Sequence, residues 1–296
     1  AAQAELKRSV VAEQLRRLAG IDWDGQVEAV APLLGWRTRV RYHRAADRGS
    51  VVEQPWGMHP YRSTEVTPLP QDGCLIAAAG LQRPPADLPG GEVRGVASAD
   101  AVQWLAPDAK PVVRQHAVGR DWEVSGDGFW QVHPRAADVL ASAVLDALDP
   151  QPGEKAMDLY CGVGLFSGAL ASRGVRVLGI EGNRAAVEFA RRNVPEATFR
   201  AGPVDRELRR ASGRVDLVVL DPPRAGLNAK ARQALIDLAP QEIIYISCDP
   251  STLARDLKHF SEAGYNLQSV HAFDMFPQTA HVETMTVLRR TQRVTS

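Results

Sequence analysis

Met157-Asp158-Leu159-Tyr160-Cys161-Gly162-Val163-Gly164-Leu165-Phe166 reads as a strand running into a glycine turn and then a helix, the arrangement that lets backbone approach a ligand closely. A second apolar strand, Val177-Leu178-Gly179-Ile180, ends in Glu181 about twenty residues on, where a carboxylate can accept bonds from both hydroxyls of a ribose. The spacing suits a nucleoside. A dinucleotide requires a third glycine where Ser167 stands, so that pyrophosphate can reach the helix start; S-adenosylmethionine, which carries no phosphate, does not. An ordinary α/β turn with a solvated Glu181 is the competing reading, and Cys161 within the turn reads as a small packed residue. Working outward, apolar runs at 156–159, 175–180, 198–200, 215–220, 243–247, 267–273 and 283–288 alternate with helical segments. They predict a largely parallel, doubly wound sheet.

Toward the N-terminus the pattern differs. Leu6, Val10, Val11, Leu15 and Leu18 predict one amphipathic helix over 4–18. Residues 37–44 alternate, with Arg37, Arg39, Arg41 and His43 on one face of a strand and Thr38, Val40 and Tyr42 on the other; the charged face is either solvated or phosphate-contacting. The Pro- and Gly-rich tract over 53–110 reads as a small α+β unit. After Gly126-Asp127-Gly128 a helix over 134–148 opens the alternating region. The expected division is an α+β domain over 1–125 and a nucleoside-binding domain over 126–296.

At 296 residues, 45% hydrophobic and 24% charged, the chain can support two cored domains and is not of disordered composition. No run approaches the roughly eighteen apolar residues of a membrane span, and nothing at the start has the pattern of a signal peptide. No membrane partner is expected, and a cytoplasmic location follows. The formal net charge of zero gives no global basic field, so any surface for nucleic acid must be local. Cys74, Cys161 and Cys248 are too few and too scattered for a disulfide framework or a paired zinc site. The start, Ala1-Ala2-Gln3-Ala4, has no Met and runs straight into a helical pattern, which reads as the interior of a longer protein.

Two more strand ends carry chemistry. Asp221-Pro222-Pro223-Arg224-Ala225-Gly226-Leu227 follows the run 215–220, at the carboxyl edge where open α/β sheets bind ligands. Amino-group methyltransferases follow Asn/Asp-Pro-Pro with an aromatic that stacks on the target base; here Arg224 follows, which argues against that reaction. The next strand ends in Tyr245-Ile246-Ser247-Cys248-Asp249-Pro250 ahead of a helix. A thiol just before a helix N-terminus is placed for the dipole to favour thiolate, and a buried structural cysteine is the alternative.

Five blocks occur in order: Phe129-Trp130-Gln131-Val132; Asp158-Leu159-Tyr160-Cys161-Gly162; Asp221-Pro222-Pro223-Arg224-Ala225-Gly226; Ser247-Cys248-Asp249-Pro250-Ser251-Thr252-Leu253-Ala254-Arg255-Asp256; and Asp274-Met275-Phe276-Pro277 through His281-Val282-Glu283. Together they resemble the RNA uracil-5-methyltransferases, which make 5-methyluridine in 23S ribosomal RNA and transfer RNA. The resemblance runs over nearly the whole chain. It implies a Rossmann-like, S-adenosylmethionine-dependent methyltransferase sheet with a smaller N-terminal α+β domain, acting on structured RNA, with ribosomal RNA placed ahead of transfer RNA. Cys248 matches the nucleophile that adds to carbon 6 of uracil, and Glu283 matches the base that later removes the proton from carbon 5. Gln131, Tyr160, Gly162, Glu181 and Asp221 match positions around the methyl donor, and Asp221 also matches a position that serves the uracil. Phe129 and Trp130 either support a uridine taken out of its stack or are core aromatics. The chain departs from the family pattern at Leu165, often polar there, and over 201–205, near the adenine.

Ribosomal members also carry an N-terminal RNA-binding barrel and three cysteines that join a fourth, downstream, around an iron–sulfur cluster. Cys74, in Asp72-Gly73-Cys74-Leu75-Ile76, matches that fourth ligand, so the resemblance implies a cluster in the full-length protein; a buried structural thiol is the alternative. A monomer is expected. Transfer-RNA uridine-5 methylation is one rival reading. RNA cytosine-5 methylation is another, but it uses a second cysteine in the block that here reads Asp221-Pro222-Pro223-Arg224. A non-catalytic RNA-binding or ribosome-assembly factor would have no chemical need for both Cys248 and Glu283.

Overall fold

All four residues of Leu217–Leu220 are buried, as are all but the first of Glu242–Ser247, the burial expected of parallel strands covered on both faces. The computed structural model that shows this describes residues 2–45, 55–60, 63–211 and 213–291; residues 53, 54, 61 and 62 of the Pro- and Gly-rich tract lie outside them. In chain order the elements are α1 (Ala2–Ala19), β1 (Val27–Ala29), β2 (Arg39–Arg44), β3 (Trp56–Met58), β4 (Thr67–Pro68), β5 (Glu92–Ala97), β6 (Val102–Leu105), β7 (Val112–Ala117) and β8 (Arg120–Ser125). There follow α2 (Ala136–Leu148), β9 (Lys155–Leu159), α3 (Leu165–Ala171), β10 (Arg176–Glu181), α4 (Arg184–Asn193), β11 (Thr198–Ala201), α5 (Val204–Arg209), β12 (Leu217–Leu220), α6 (Ala229–Leu238), β13 (Glu242–Ser247), α7 (Pro250–Glu262), β14 (Tyr265–Asp274) and β15 (Glu283–Arg290). They form two units, Ala1–Val30 with Ala137–Ser296, and Ala31–Ala136.

The larger unit holds an eight-stranded sheet in the order β1-β14-β15-β13-β12-β9-β10-β11. β15 is antiparallel to both its neighbours and the remaining pairings are parallel. The seven strands expected from the apolar runs all form. β1 was not expected: three residues, Val27-Glu28-Ala29, with only the first buried, carry no periodicity long enough to read. The sheet changes winding direction at β9, with β10 and β11 to one side and β12 and β13 to the other. Ligands of open α/β sheets bind at the carboxyl edge beside such a switch point.

Residues 1–30, expected in an N-terminal domain spanning 1–125, belong instead to this larger unit. α1 packs on α7, and Val11 and Leu15 share a core with Leu253, Leu257 and Phe260. The buried face of α1 is Lys7, Val11 and Leu15, whereas Leu6 and Val10 are exposed. An apolar tally could not find this face because one of its members is charged. The ammonium of Lys7 is tolerated there because Nζ donates to Asp274 Oδ1 at 2.5 Å and to the Phe276 carbonyl at 3.0 Å.

The smaller unit contains a five-stranded antiparallel sheet, β4-β3-β2-β5-β6, and the hairpin β7-β8. The expectation of an α+β unit gives way here: no α-helix occurs among its described residues before the last, because the helical pattern of the first 125 residues sits in the other unit. Val40, Tyr42, Trp56, Leu69, Cys74, Ala77, Leu81 and Val93 form its core. On β2 the alternation holds, with Val40 and Tyr42 inward. Its charged face is neither uniformly solvated nor uniformly free: Arg41 lies beside Glu92, while Arg39 donates to main-chain carbonyls of the β8 turn.

Candidate active site

The carboxyl ends of β9, β10, β12 and β13 bring together most of the residues singled out by sequence. After β9 the chain turns through left-handed backbone at Tyr160 (φ 62°), Gly162 (φ 54°) and Gly164 (φ 97°). A Cβ built on Gly162, or on Gly182 across the turn, would meet nothing within 4 Å, so backbone is open to a ligand at both. Between them stands Glu181, whose carboxylate accepts from the Gly162 N–H at 3.1 Å and the Asn183 N–H at 2.7 Å. These bonds fix its orientation at the strand end. Burial pushes the Tyr160 hydroxyl up to about 12, with Asp205, Asp256 and Glu181 adding to the effect.

Beneath this turn lies a pair that the spacing rule did not reveal. Asp158 is fully buried, and its Oδ2 accepts from the N–H and the hydroxyl of Ser167 at 2.8 and 2.7 Å, while Oδ1 has no partner among the described residues. Ser167, noted only as a missing glycine, thus ties the start of α3 to β9. Burial pushes the Asp158 carboxyl up to about 7, against those two hydrogen bonds. A carboxyl raised in the folded state favours the fold below about pH 4, and that contribution is lost as pH rises toward 7. Asp158→Asn stays neutral throughout. Relative to the parent it is expected to gain on the order of 2 kcal/mol between pH 5 and pH 8, read from urea unfolding at the two pH values. A difference that does not change with pH would rule out a raised carboxyl.

Asp221 follows β12, one step past the Leu220–Leu159 pair, and its N–H donates to the Leu159 carbonyl at 3.4 Å. It keeps partial solvent access although burial among protein atoms pushes its carboxyl up to about 7. Cys248 follows β13. The β13–β15 register pairs Ser247 with Thr284, and the Thr284 hydroxyl donates to the Ser247 carbonyl at 2.8 Å. Cys248 and Glu283 are the residues that follow and precede that last pair on their two strands, and Glu283 acts by charge on the thiol. Glu283 is 5% exposed. Burial raises its carboxyl well above the usual range, Asp221 raises it further, and Arg224 opposes both.

The Cys248 thiol is pushed up to about 11, first by burial and then by Glu283 and Asp221, while Arg224 pulls it down by charge and as a hydrogen-bond donor. The expectation that the α7 N-terminus favours thiolate is overturned. Asp249 caps that helix, its Oδ1 accepting from the N–H groups of Ser251 and Thr252 at 2.9 and 3.1 Å. Two amides of the α7 N-terminus are thus taken by a carboxylate, while burial and two further carboxylates raise the thiol.

Arg224, read from sequence only as evidence against amino-group chemistry, is the cation of this cluster. Its backbone carbonyl accepts from the Thr252 hydroxyl at 3.0 Å, and its guanidinium lies 3.3 Å from His281 Nε2. The loop that carries it is braced by Asp256, fully buried, which accepts from Leu227 N, Tyr245 Oη, Arg232 Nη1 and Arg255 Nε at 2.8–3.1 Å. At Gly226 (φ 71°) a Cβ would come within 2.7 Å of both Arg255 Nη2 and Asp256 Oδ2, so only glycine closes the loop onto that network. The signal for Asp256 was its place in the Cys248 block.

Gln131, Phe129 and Trp130 belong to the smaller unit; Gln131 and Trp130 are buried there and Phe129 is exposed. Cys74 is buried in that unit's apolar core, and Cys161 is a packed thiol of the turn. No group of three His, Cys, Asp or Glu side chains suited to a metal occurs among the described residues. No described helix is long and apolar enough to cross a membrane.

Residues 205–291 match the family model for tRNA (uracil-5-)-methyltransferase, and 134–243 match that for the methyltransferase small domain. A Streptomyces avermitilis protein named as an uncharacterized RNA methyltransferase is 40% identical, over 97% of this chain and 77% of its own length. A Bifidobacterium longum protein named in the same way is 32% identical, over 97% and 75%. Among solved structures, the Pyrococcus abyssi tRNA (uracil-54, C5)-methyltransferase in complex with S-adenosyl-L-homocysteine superposes with a TM-score of 0.72 at 23% identity, covering 96% of this chain and 83% of that one.

Proposed function

The chain belongs to the RNA uracil-5-methyltransferase family, and on that premise we propose that it methylates carbon 5 of a uridine in RNA through a covalent bond from Cys248 to carbon 6. The observation that supports this reading is the cluster at the end of β13, where Glu283, Asp221 and Arg224 all act electrostatically on the Cys248 thiol, just beyond the Ser247–Thr284 pair.

Each residue type answers a chemical need. Carbon 5 of uracil is too weak a nucleophile to take a methyl group unaided. Addition of the Cys248 thiolate to carbon 6 converts the ring to an enolate whose carbon 5 is nucleophilic. S-adenosylmethionine, when bound, would supply the electrophilic methyl group to carbon 5, its sulfur keeping the electron pair of the broken S–CH3 bond as the neutral thioether leaves. Glu283 then takes the proton from carbon 5, the electron pair re-forms the ring double bond, and Cys248 leaves as thiolate. Arg224 stabilises sulfur as thiolate at both ends of this cycle, and Asp221, at the end of the strand that lies between β9 and β13, serves both donor and uracil.

The residues present fit the donor. Glu181 is pre-oriented for a ribose, and the open backbone at Gly162 and Gly182 leaves room beside it. Tyr160 and Gln131 complete the assignment, Gln131 from the family resemblance. The residue that the resemblance assigns to an iron–sulfur cluster, Cys74, lies in the apolar core of Ala31–Ala136.

Structured RNA is the proposed partner, with ribosomal RNA ahead of transfer RNA on the resemblance to the 23S enzymes, although the similar archaeal structure is named for transfer RNA. Incubation with methyl-labelled S-adenosylmethionine and separated ribosomal and transfer RNA, followed by nucleoside mass spectrometry, tests both levels. Label in 5-methyluridine is expected. Label confined to other nucleosides would overturn the reaction, and label confined to transfer RNA would overturn the choice of RNA.

A further inference from the structure

Phe129 is 71% exposed, the most exposed large hydrophobic side chain among the described residues, yet the backbone on either side of it is held. Two consecutive residues at the start of β2 hold it. Arg39 takes the near side: Nη1 donates to the carbonyls of Gly128 at 2.8 Å and Gly126 at 3.0 Å, with that of Ser125 at 3.4 Å. Thr38 takes the far side: its N–H and its hydroxyl donate to the Val132 carbonyl at 2.8 and 2.9 Å. Residues 129–131 thus span a bracket whose jaws are neighbours in sequence, anchored in a sheet by the pairing of Arg39 with Val96. Within the bracket Trp130 is buried, its ring 5.8 Å from that of Trp122, which leaves the segment little freedom to pivot and draw the Phe129 ring inward.

Stability alone does not account for Arg39. Its Nε and Nη2 are buried without a hydrogen-bond partner among the described residues, and such nitrogens carry an uncompensated desolvation cost. Among the described residues its side-chain hydrogen bonds fall on the turn just ahead of Phe129. An apolar side chain filling the same space would serve the core as well, but it would release that turn.

We propose that Thr38 and Arg39 are positioning residues that hold Phe129 outward as a stacking platform for an unpaired base of the RNA. The partner class rests on the methyltransferase reading. A ring whose backbone is already held outward has less freedom left to lose when a base stacks on it, and any base can do so.

A double-mutant cycle on the full chain tests this, with affinity for a uridine-bearing RNA hairpin as the readout. Phe129→Ala is expected to weaken binding about tenfold, within the range of base–aromatic stacking. Arg39→Met is expected to weaken it to a similar extent in the parent, but less than about twofold once Phe129 is alanine, because it acts through that ring. Arg39→Lys, which keeps a donor, is expected to recover part of the loss. Equal losses in both backgrounds, or none in the parent, would overturn the proposal. If Arg39→Met does not fold, Thr38→Val, which leaves the backbone bond to Val132 in place, runs the same cycle. Because affinity is measured, a chain that binds the hairpin without methylating it contradicts the proposed reaction and leaves the cycle readable. A chain that does not bind it contradicts both.

Discussion

Cys248→Ala is expected to lower methyl transfer by roughly 10⁴-fold or more, the scale on which loss of an enzyme's nucleophile acts, and to abolish covalent capture of 5-fluorouridine-substituted RNA. Fluorine at carbon 5 cannot be removed as a proton, so in the parent protein the bond from Cys248 to carbon 6 persists and the complex survives on a denaturing gel. A complex that formed with Cys248→Ala would refute the assignment. The same thiol predicts its own pH dependence. Raised to about 11 by burial and by Glu283 and Asp221, it is overwhelmingly protonated at neutral pH. Alkylation of Cys248 in the RNA-free protein should therefore accelerate about tenfold per unit between pH 7 and pH 10, since only thiolate reacts. Arg224→Gln removes the cation that favours thiolate and should slow alkylation at every pH in that range. Cys74 and Cys161 are buried and should stay unmodified while the fold is intact.

The parts of the molecule legible in sequence were those that repeat with a period or sit at a strand end. Continuous apolar runs such as 217–220 and 243–247 announce strands covered on both faces, and the turn at 160–164 announces itself by glycine. Asp221 and Glu181 were legible for the same reason, each being the first polar residue after a buried run, and Cys248 directly follows the buried strand that ends at Ser247. What stayed hidden depends on which chain segments meet. Lys7 looks like a solvent residue until Asp274, far along the chain, arrives beside it. Arg39 looks like any outward arginine of an alternating strand until the turn after β8 presents three carbonyls to it. The helix-dipole argument at Cys248 failed through a competitor one residue away: Asp249 is a strong N-cap that takes two amides of the α7 N-terminus, while burial and two further carboxylates raise the thiol.

Glu283→Gln should separate the two halves of the reaction. Gln has the shape of the carboxyl and cannot accept the carbon 5 proton, so addition of Cys248 and the first methyl transfer should proceed, while release of the methylated RNA slows by about 10²–10⁴-fold, the usual contribution of a positioned base. The expected signature is methyl label retained in a protein–RNA complex that survives denaturation, with unmodified uridine as substrate. Normal turnover would remove Glu283 from the mechanism. Burial and Asp221 hold the Glu283 carboxyl well above the usual carboxylate range, which makes its ionised form a stronger base than an exposed glutamate. The parent's turnover should accordingly fall on the acid side at a higher pH than an ordinary glutamate would give, because the base must be ionised when the proton leaves. Stability runs the other way. A carboxyl raised in the folded state favours folding at low pH and loses that contribution as pH rises through its folded value. The neutral Gln variant should therefore hold its stability relative to the parent, or gain, toward pH 8. A slow Glu283→Gln that is at least as stable as the parent at that pH cannot be explained by a damaged fold, which leaves the missing base as the cause.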